Sequence, residues 1–137
     1  MESYDKMYLS QNIKLHRLLF KMYKDSKYDL FECIYTYLMK SEIRAKMDIG
    51  NWSALNKGSK QVWNSISYSA IPEKEFDESI VDTDWLADIY VFFQWKYNIM
   101  SKTICEKIPP KVLYSKYNPL HETSIQNACE KLHSIYF

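Results

Sequence analysis

Glycine is all but missing from this chain: Gly50 and Gly58 are the only two, beside four prolines. Sandwiches and barrels turn often and need such residues at their turns, so the scarcity excludes an all-β design and favours helices. Cysteine is sparse as well. Cys33, Cys105 and Cys129 are odd in number and show no CxxC spacing, which rules out a disulfide framework and predicts three reduced thiols. No basic stretch followed by an apolar core opens the chain, so no secretory leader is expected and the cytoplasm is the expected compartment. The most apolar window, "WLADIYVFFQW", is interrupted by Asp88 and is too short to span a bilayer, so no membrane partner is expected. Net charge is close to nil, +1, which excludes a strong general attraction to nucleic acid or anionic lipid. GxSxG, P-loop, GxGxxG and HExxH patterns are also missing, so nucleophilic and dinucleotide chemistry have no support.

What is present points to one globular domain over residues 1–137. The chain is 47% apolar and 16% aromatic, enough for a core without disulfide or metal staples. Charge is unevenly spread. Residues 1–60 carry eleven Lys/Arg against seven acids, 61–90 one lysine against seven acids, and 91–137 six against three. An acidic middle lies between two basic flanks.

Helical periodicity is clearest over Lys6 to Lys24. Tyr8, Leu9, Leu15, Leu18, Leu19, Met22 and Tyr23 share one arc, while Lys6, Lys14, Arg17, Lys21 and Lys24 form a basic stripe about 80° wide. Asp29, with Glu32 three residues on, predicts a second helix running to about Met47. "DIGNWSALNKGSK" reads as a connection with one short turn, and Ser59 caps a third helix holding Val62, Trp63 and Ile66. Asp82 or Thr83 then caps "DWLADIYVFFQWKYN", apolar all round and therefore expected at the centre of the fold, over about 83–98. Two short helices flank Pro109–Pro110. Asn118 followed by Pro119 predicts the start of a last helix. The expected fold is all-α: six or seven helices around a central aromatic one.

Four features bear on chemistry. The stretch "PEKEFDESIVDTDWLAD" holds seven carboxylates, and Glu75/Glu78 and Asp84/Asp88 stand at helical spacings. Paired carboxylates of this kind hold Mg²⁺ in all-α nucleotide pyrophosphohydrolases, which makes Glu75, Glu78, Asp84 and Asp88 candidate metal ligands and Asp84 and Asp88 candidate catalytic groups. The second acidic helix of those enzymes has no counterpart here. The simpler reading has Asp82 and Asp84 offsetting a helix dipole and Glu73 to Glu78 free in water. Asp88, one turn inside a buried helix, must be paired or hydrogen-bonded, and a tyrosine hydroxyl or a lysine is the expected partner. The basic stripe makes Lys14, Arg17, Lys21 and Lys24 candidate phosphate or nucleic-acid contacts, against the plainer readings of a solvated face or of a face lying near the acidic segment. "MSKTICEKIPPKVLYSKY" has the outline of a helix–turn–helix but lacks its turn glycine. Cys129 and His133 supply two ligands where a structural zinc wants four.

The segment "WLADIYVFFQWKYNIMSKTICEKIPPKVLYSKYNPLHETSIQNACEKL", through its Trp85-to-Trp95 helix, double proline and "YNPLHETS" turn, resembles small uncharacterised all-helical bacterial proteins over about residues 84–132. That resemblance implies a bacterial cytoplasmic setting and no assigned activity. The expected function is a non-catalytic binding or protein-interaction module, a homodimer, needing no cofactor. The alternative is a Mg²⁺-dependent protein of nucleotide or nucleic-acid metabolism that uses the acidic 73–88 segment and the basic face of helix 6–24.

Overall fold

The computed structural model describes all residues from Met1 to Phe137; its regular structure is helical, apart from one isolated bridge, Tyr28 with Glu73. Asp5 begins α1 (Lys6–Asp25) by accepting the Met7 N–H at 2.9 Å. Asp29 caps α2 (Leu30–Glu32), which passes directly into a π-helical stretch (Cys33–Leu38). The single helix expected from Asp29 to Met47 breaks here. Ser41 is the cause: its hydroxyl donates to Leu38 O at 2.6 Å and accepts the Arg44 N–H at 3.2 Å, closing one helix and capping α3 (Glu42–Asp48). α4 (Trp52–Leu55) is the single turn foreseen in the connection, and α5 (Ser59–Asn64) starts behind Gly58.

α6 (Thr83–Tyr97) is capped by Asp82, whose Oδ1 accepts the Trp85 N–H at 3.1 Å, and Asn98 ends it at φ 51°. Between Thr83 and Trp95 only Asp84, Asp88 and Phe92 escape burial. α7 (Ser101–Lys107), α8 (Pro110–Ser115) and α9 (Tyr117–Leu120) are short, α8 with proline at its first position as expected. The last helix, α10 (Ile125–Tyr136), starts at Ser124 rather than Asn118, because the Ser124 hydroxyl takes the Asn127 N–H at 3.1 Å while Asn118 and Pro119 lie within α9.

One continuous core of 29 buried residues draws on nearly every helix, which makes the chain a single domain. Its centre is shared. α1 and α6 form the broadest pairing, with α10, α7 and α8 packed on α6 and with α5, α4 and α2 on α1. No helix is long and apolar enough to cross a membrane.

Buried polar groups hold one end of this bundle. Asp48, at the end of α3, accepts Arg44 Nη1 at 2.7 Å, Ser101 Oγ at 2.6 Å and the Ser101 N–H at 2.7 Å. It therefore caps α7 from a distance, where Met100 has no side chain to do so. The N-terminal residues lie across the same end: the Ser3 N–H donates to Trp95 O at 3.0 Å, and Trp95 Nε1 donates to Tyr4 O at 2.8 Å.

The connection from Ser65 to Asp82 has no helix of its own, yet it is anchored at its start. Tyr68 packs among Tyr23, Tyr28 and Trp63, with centroids 5.9, 6.2 and 4.9 Å away, and its hydroxyl meets that of Tyr23 at 2.8 Å.

Candidate interaction surface

Past Pro72 the connection runs back along Lys27–Asp29. The Asp29 N–H donates to Pro72 O and the Lys74 N–H to Lys27 O, both at 2.9 Å. Glu78 then turns inward. Both its oxygens accept the Leu30 N–H, at 3.2 and 3.1 Å, and Lys74 Nζ pairs with it at 2.6 Å while also donating to Tyr23 O and Tyr28 O. A carboxylate at the positive end of a helix, neutralised by a lysine, is a structural clamp. Glu78 is thus buried, and the expectation that Glu73 to Glu78 are all free in water fails at this residue.

With the base of the loop pinned, its tip faces outward. Phe76 is 81% exposed and Ile80 86% exposed, among the exposed carboxylates of Glu75 and Asp77. Beside them opens a cleft of about 410 Å³ whose apolar walls are Phe31, Phe76, Val81 and Tyr114, with Glu75, Asp77 and Lys111 among its polar lining. Solvated apolar side chains next to a cleft of apolar walls and a few polar groups are the usual mark of a docking site.

The basic stripe of α1 divides in two. Arg17 Nε and Nη2 grip Asp88 Oδ1 and Oδ2 at 2.7 and 2.6 Å, and Lys24 Nζ donates to Val81 O at 3.0 Å. The hydrogen bonds that Arg17 donates to Asp88 raise its pKa; burial opposes them, and the charges of Asp88, Asp84 and Asp82 add to the rise. The partner of Asp88 is therefore an arginine of the basic stripe rather than the tyrosine or lysine expected, and this part of the stripe lies against the acidic segment within the same chain. Lys14 and Lys21 make no ion pair. They flank Leu18, which belongs to the apolar arc by periodicity but is 58% exposed.

These features adjoin. Val81 lines both the loop cleft and a second cleft holding Lys21, Lys24 and Asp84; Lys21 and Asp84 also line a third with Lys14, Arg17 and Leu18. An acidic–apolar patch thus continues directly into a basic–apolar one.

The remaining sequence candidates fall as follows. Asp84 and Glu75 are exposed, Asp88 and Glu78 are engaged by Arg17 and by Lys74 with Leu30, and nowhere do three or more His, Cys, Asp or Glu side chains converge as metal ligands would. Cys129 is buried with Sγ 3.8 Å from Ile89 O, while His133 stacks on Tyr97 at 4.1 Å, so the two do not share a site. Burial pushes the Cys33 and Cys105 thiols up to about 12 and Cys129 higher still, which leaves all three protonated and unreactive. α8, six residues long, is too short for a recognition helix. Tyr117 donates its hydroxyl to Asp82 Oδ2 at 2.8 Å, and that bond raises the phenol pKa to about 12. Phe76, Ile80 and Leu18 escaped the sequence reading. The alternation of apolar and acidic residues in "EFDESI" was the available signal.

No family model, no curated protein and no solved structure matches this chain.

Proposed function

We propose that this chain is a non-catalytic protein-interaction module that acts as a homodimer, docking through the continuous face formed by the acidic loop and the outer side of α1. The observation that carries this reading is the pairing of opposites on one surface. Phe76 and Ile80 stand in solvent among acids; Leu18 stands in solvent among lysines. Two copies related by a twofold axis lay each patch on its opposite twice over, which is the self-complementarity that a closed dimer needs. A net charge of +1 leaves little repulsion between copies. Apolar anchors supply the affinity of such a contact, and the surrounding charges its register and speed of association. α6, packed against α1 and α10, backs the face from the core side.

Sedimentation equilibrium tests the reading. The wild-type chain should dimerise, more weakly as salt is raised, and Phe76→Ser/Ile80→Ser or Leu18→Ser should each yield a folded monomer. A wild-type chain that stays monomeric at every concentration, and whose loop cleft also ignores an amphipathic Lys/Leu peptide in NMR titration, would end the proposal. A rise in melting temperature with Mg²⁺ and a nucleoside triphosphate, lost in Asp84→Asn or Lys21→Ala, would install the nucleotide reading in its place.

A further inference from the structure

Away from the docking face, under the N-terminal residues, Asn12, His16 and Arg44 are buried essentially completely. His16 Nδ1 lies 2.8 Å from Asn12 O. A carbonyl only accepts, so Nδ1 carries the hydrogen and Nε2 is a bare acceptor. Four atoms of this group have no hydrogen-bond partner in the protein: His16 Nε2, Asn12 Oδ1, Arg44 Nε and Arg44 Nη2. Asn12 and His16 are one turn apart on α1, Asn12 Nδ2 donates to the Tyr4 hydroxyl at 3.0 Å, and the charge of Arg44 is felt at both His16 and Tyr4.

The unpartnered edge of Arg44, Nε with Nη2, is the same edge with which Arg17 grips Asp88. A bound carboxylate would suit that fork but would face two acceptors with negative charge, and Asp48 already neutralises Arg44. The fork of Arg44 aims two of its N–H bonds, one from Nε and one from Nη2, and the group adds two acceptors. One water answers those four with two lone pairs and two hydrogens, and the second N–H of Nη2 is left over.

We infer that Arg44, His16 and Asn12 line an internal hydration site, and that Tyr4, in the segment bound to Trp95, is its lid. Tyr4 touches this group through Asn12 and also lines an outer cleft of about 690 Å³ with Leu9, Phe92 and Trp95. Its hydroxyl reaches inward to Asn12, and its Cβ lies against the turn at Gly50, where an added Cβ would come within 3.2 Å of it. Water enters or leaves when the Tyr4 segment lifts.

Magnetic relaxation dispersion of solvent ²H and ¹⁷O, recorded on the full chain, detects internal waters that outlast molecular tumbling. The wild type should show such a contribution, and Arg44→Met and His16→Leu should each lose it. Since Arg44→Met strands Asp48, His16→Leu carries the test if that variant does not fold. Tyr4→Ala should keep the water but speed its exchange by roughly tenfold, as expected when one hydrogen bond and one packed ring are lost. A wild type without a long-lived water, or His16→Leu with an undiminished one, would overturn the site. Displacement of the water by sodium formate, with a rise in melting temperature, would make it an anion site instead. Unchanged exchange in Tyr4→Ala would remove the lid.

Discussion

Arg17–Asp88 and Arg44–Asp48 are the same two residue types under opposite conditions. The first joins α1 to α6 at the surface, its side chains 45% and 13% exposed; the second lies within α3 at 0% and 1%. The exposed pair has the better geometry, two parallel hydrogen bonds against one. Burial nevertheless makes the second pair the more consequential. Water solvates Arg17 if Asp88 is lost, whereas nothing in the protein replaces Asp48 for Arg44. Good geometry therefore does not rank ion pairs; the fate of the abandoned partner does.

Four experiments sharpen that contrast. Asp48→Ala should have the largest effect, a loss of about 3–5 kcal/mol, because it strands a buried guanidinium and uncaps α7. A urea titration would register it as a fall in midpoint at unchanged slope.

Next comes His16, whose pKa is lowered to about 3 by burial first and the charge of Arg44 second. The folded ring stays neutral where the unfolded one, near 6.5, takes up a proton. The unfolded state therefore binds more protons between these values, and stability falls as the pH drops through that window, by about 2–3 kcal/mol at about pH 4.5. In His16→Leu that part of the acid slope should vanish; an equal slope in both proteins would contradict the assignment.

The Arg17–Asp88 pair should show a coupling of only about 0.5–1 kcal/mol in a double-mutant cycle, shrinking as salt is added. Phe76→Ser should leave the stability of the isolated fold within about 0.5 kcal/mol of wild type, since that side chain stands in water. A larger loss in dilute solution would mean that the loop tip serves the fold rather than a partner.

Much of this architecture was legible. Lys6 to Lys24 reads as a helix because its apolar and basic residues separate at the right period, and the cap at Asp29 announces itself by residue type, whereas Asp82 and Thr83 are equally good cap residues and only the structure chooses Asp82. The start of the last helix does not announce itself either, since Asn118-Pro119 and Ser124 are equally good signals and only tertiary packing chooses between them. The break at Ser41 was hidden for a similar reason, because serine inside a helical run is ordinary until its hydroxyl finds Leu38 O. The polar end of the core left no periodic trace: Asn12 and His16 count against an apolar arc although they are buried in it, and Arg44 looks like any surface arginine. Leu18 erred the other way, apolar by pattern and solvated in fact. The acidic stretch was readable as charge, but that Glu78 turns inward while Phe76 and Ile80 turn outward depends on Lys74 reaching Tyr23 O and Tyr28 O, a contact between distant parts of the chain.

The helix-free connection between Ser65 and Asp82 makes the chain divisible. Its Ser69 and Ala70 are exposed, and the broadest helix pairing, α1 with α6, joins what lies before it to what lies after. A nick there should leave fragments 1–69 and 70–137 that reassemble on mixing, a ready-made two-piece reporter in which neither half is folded alone.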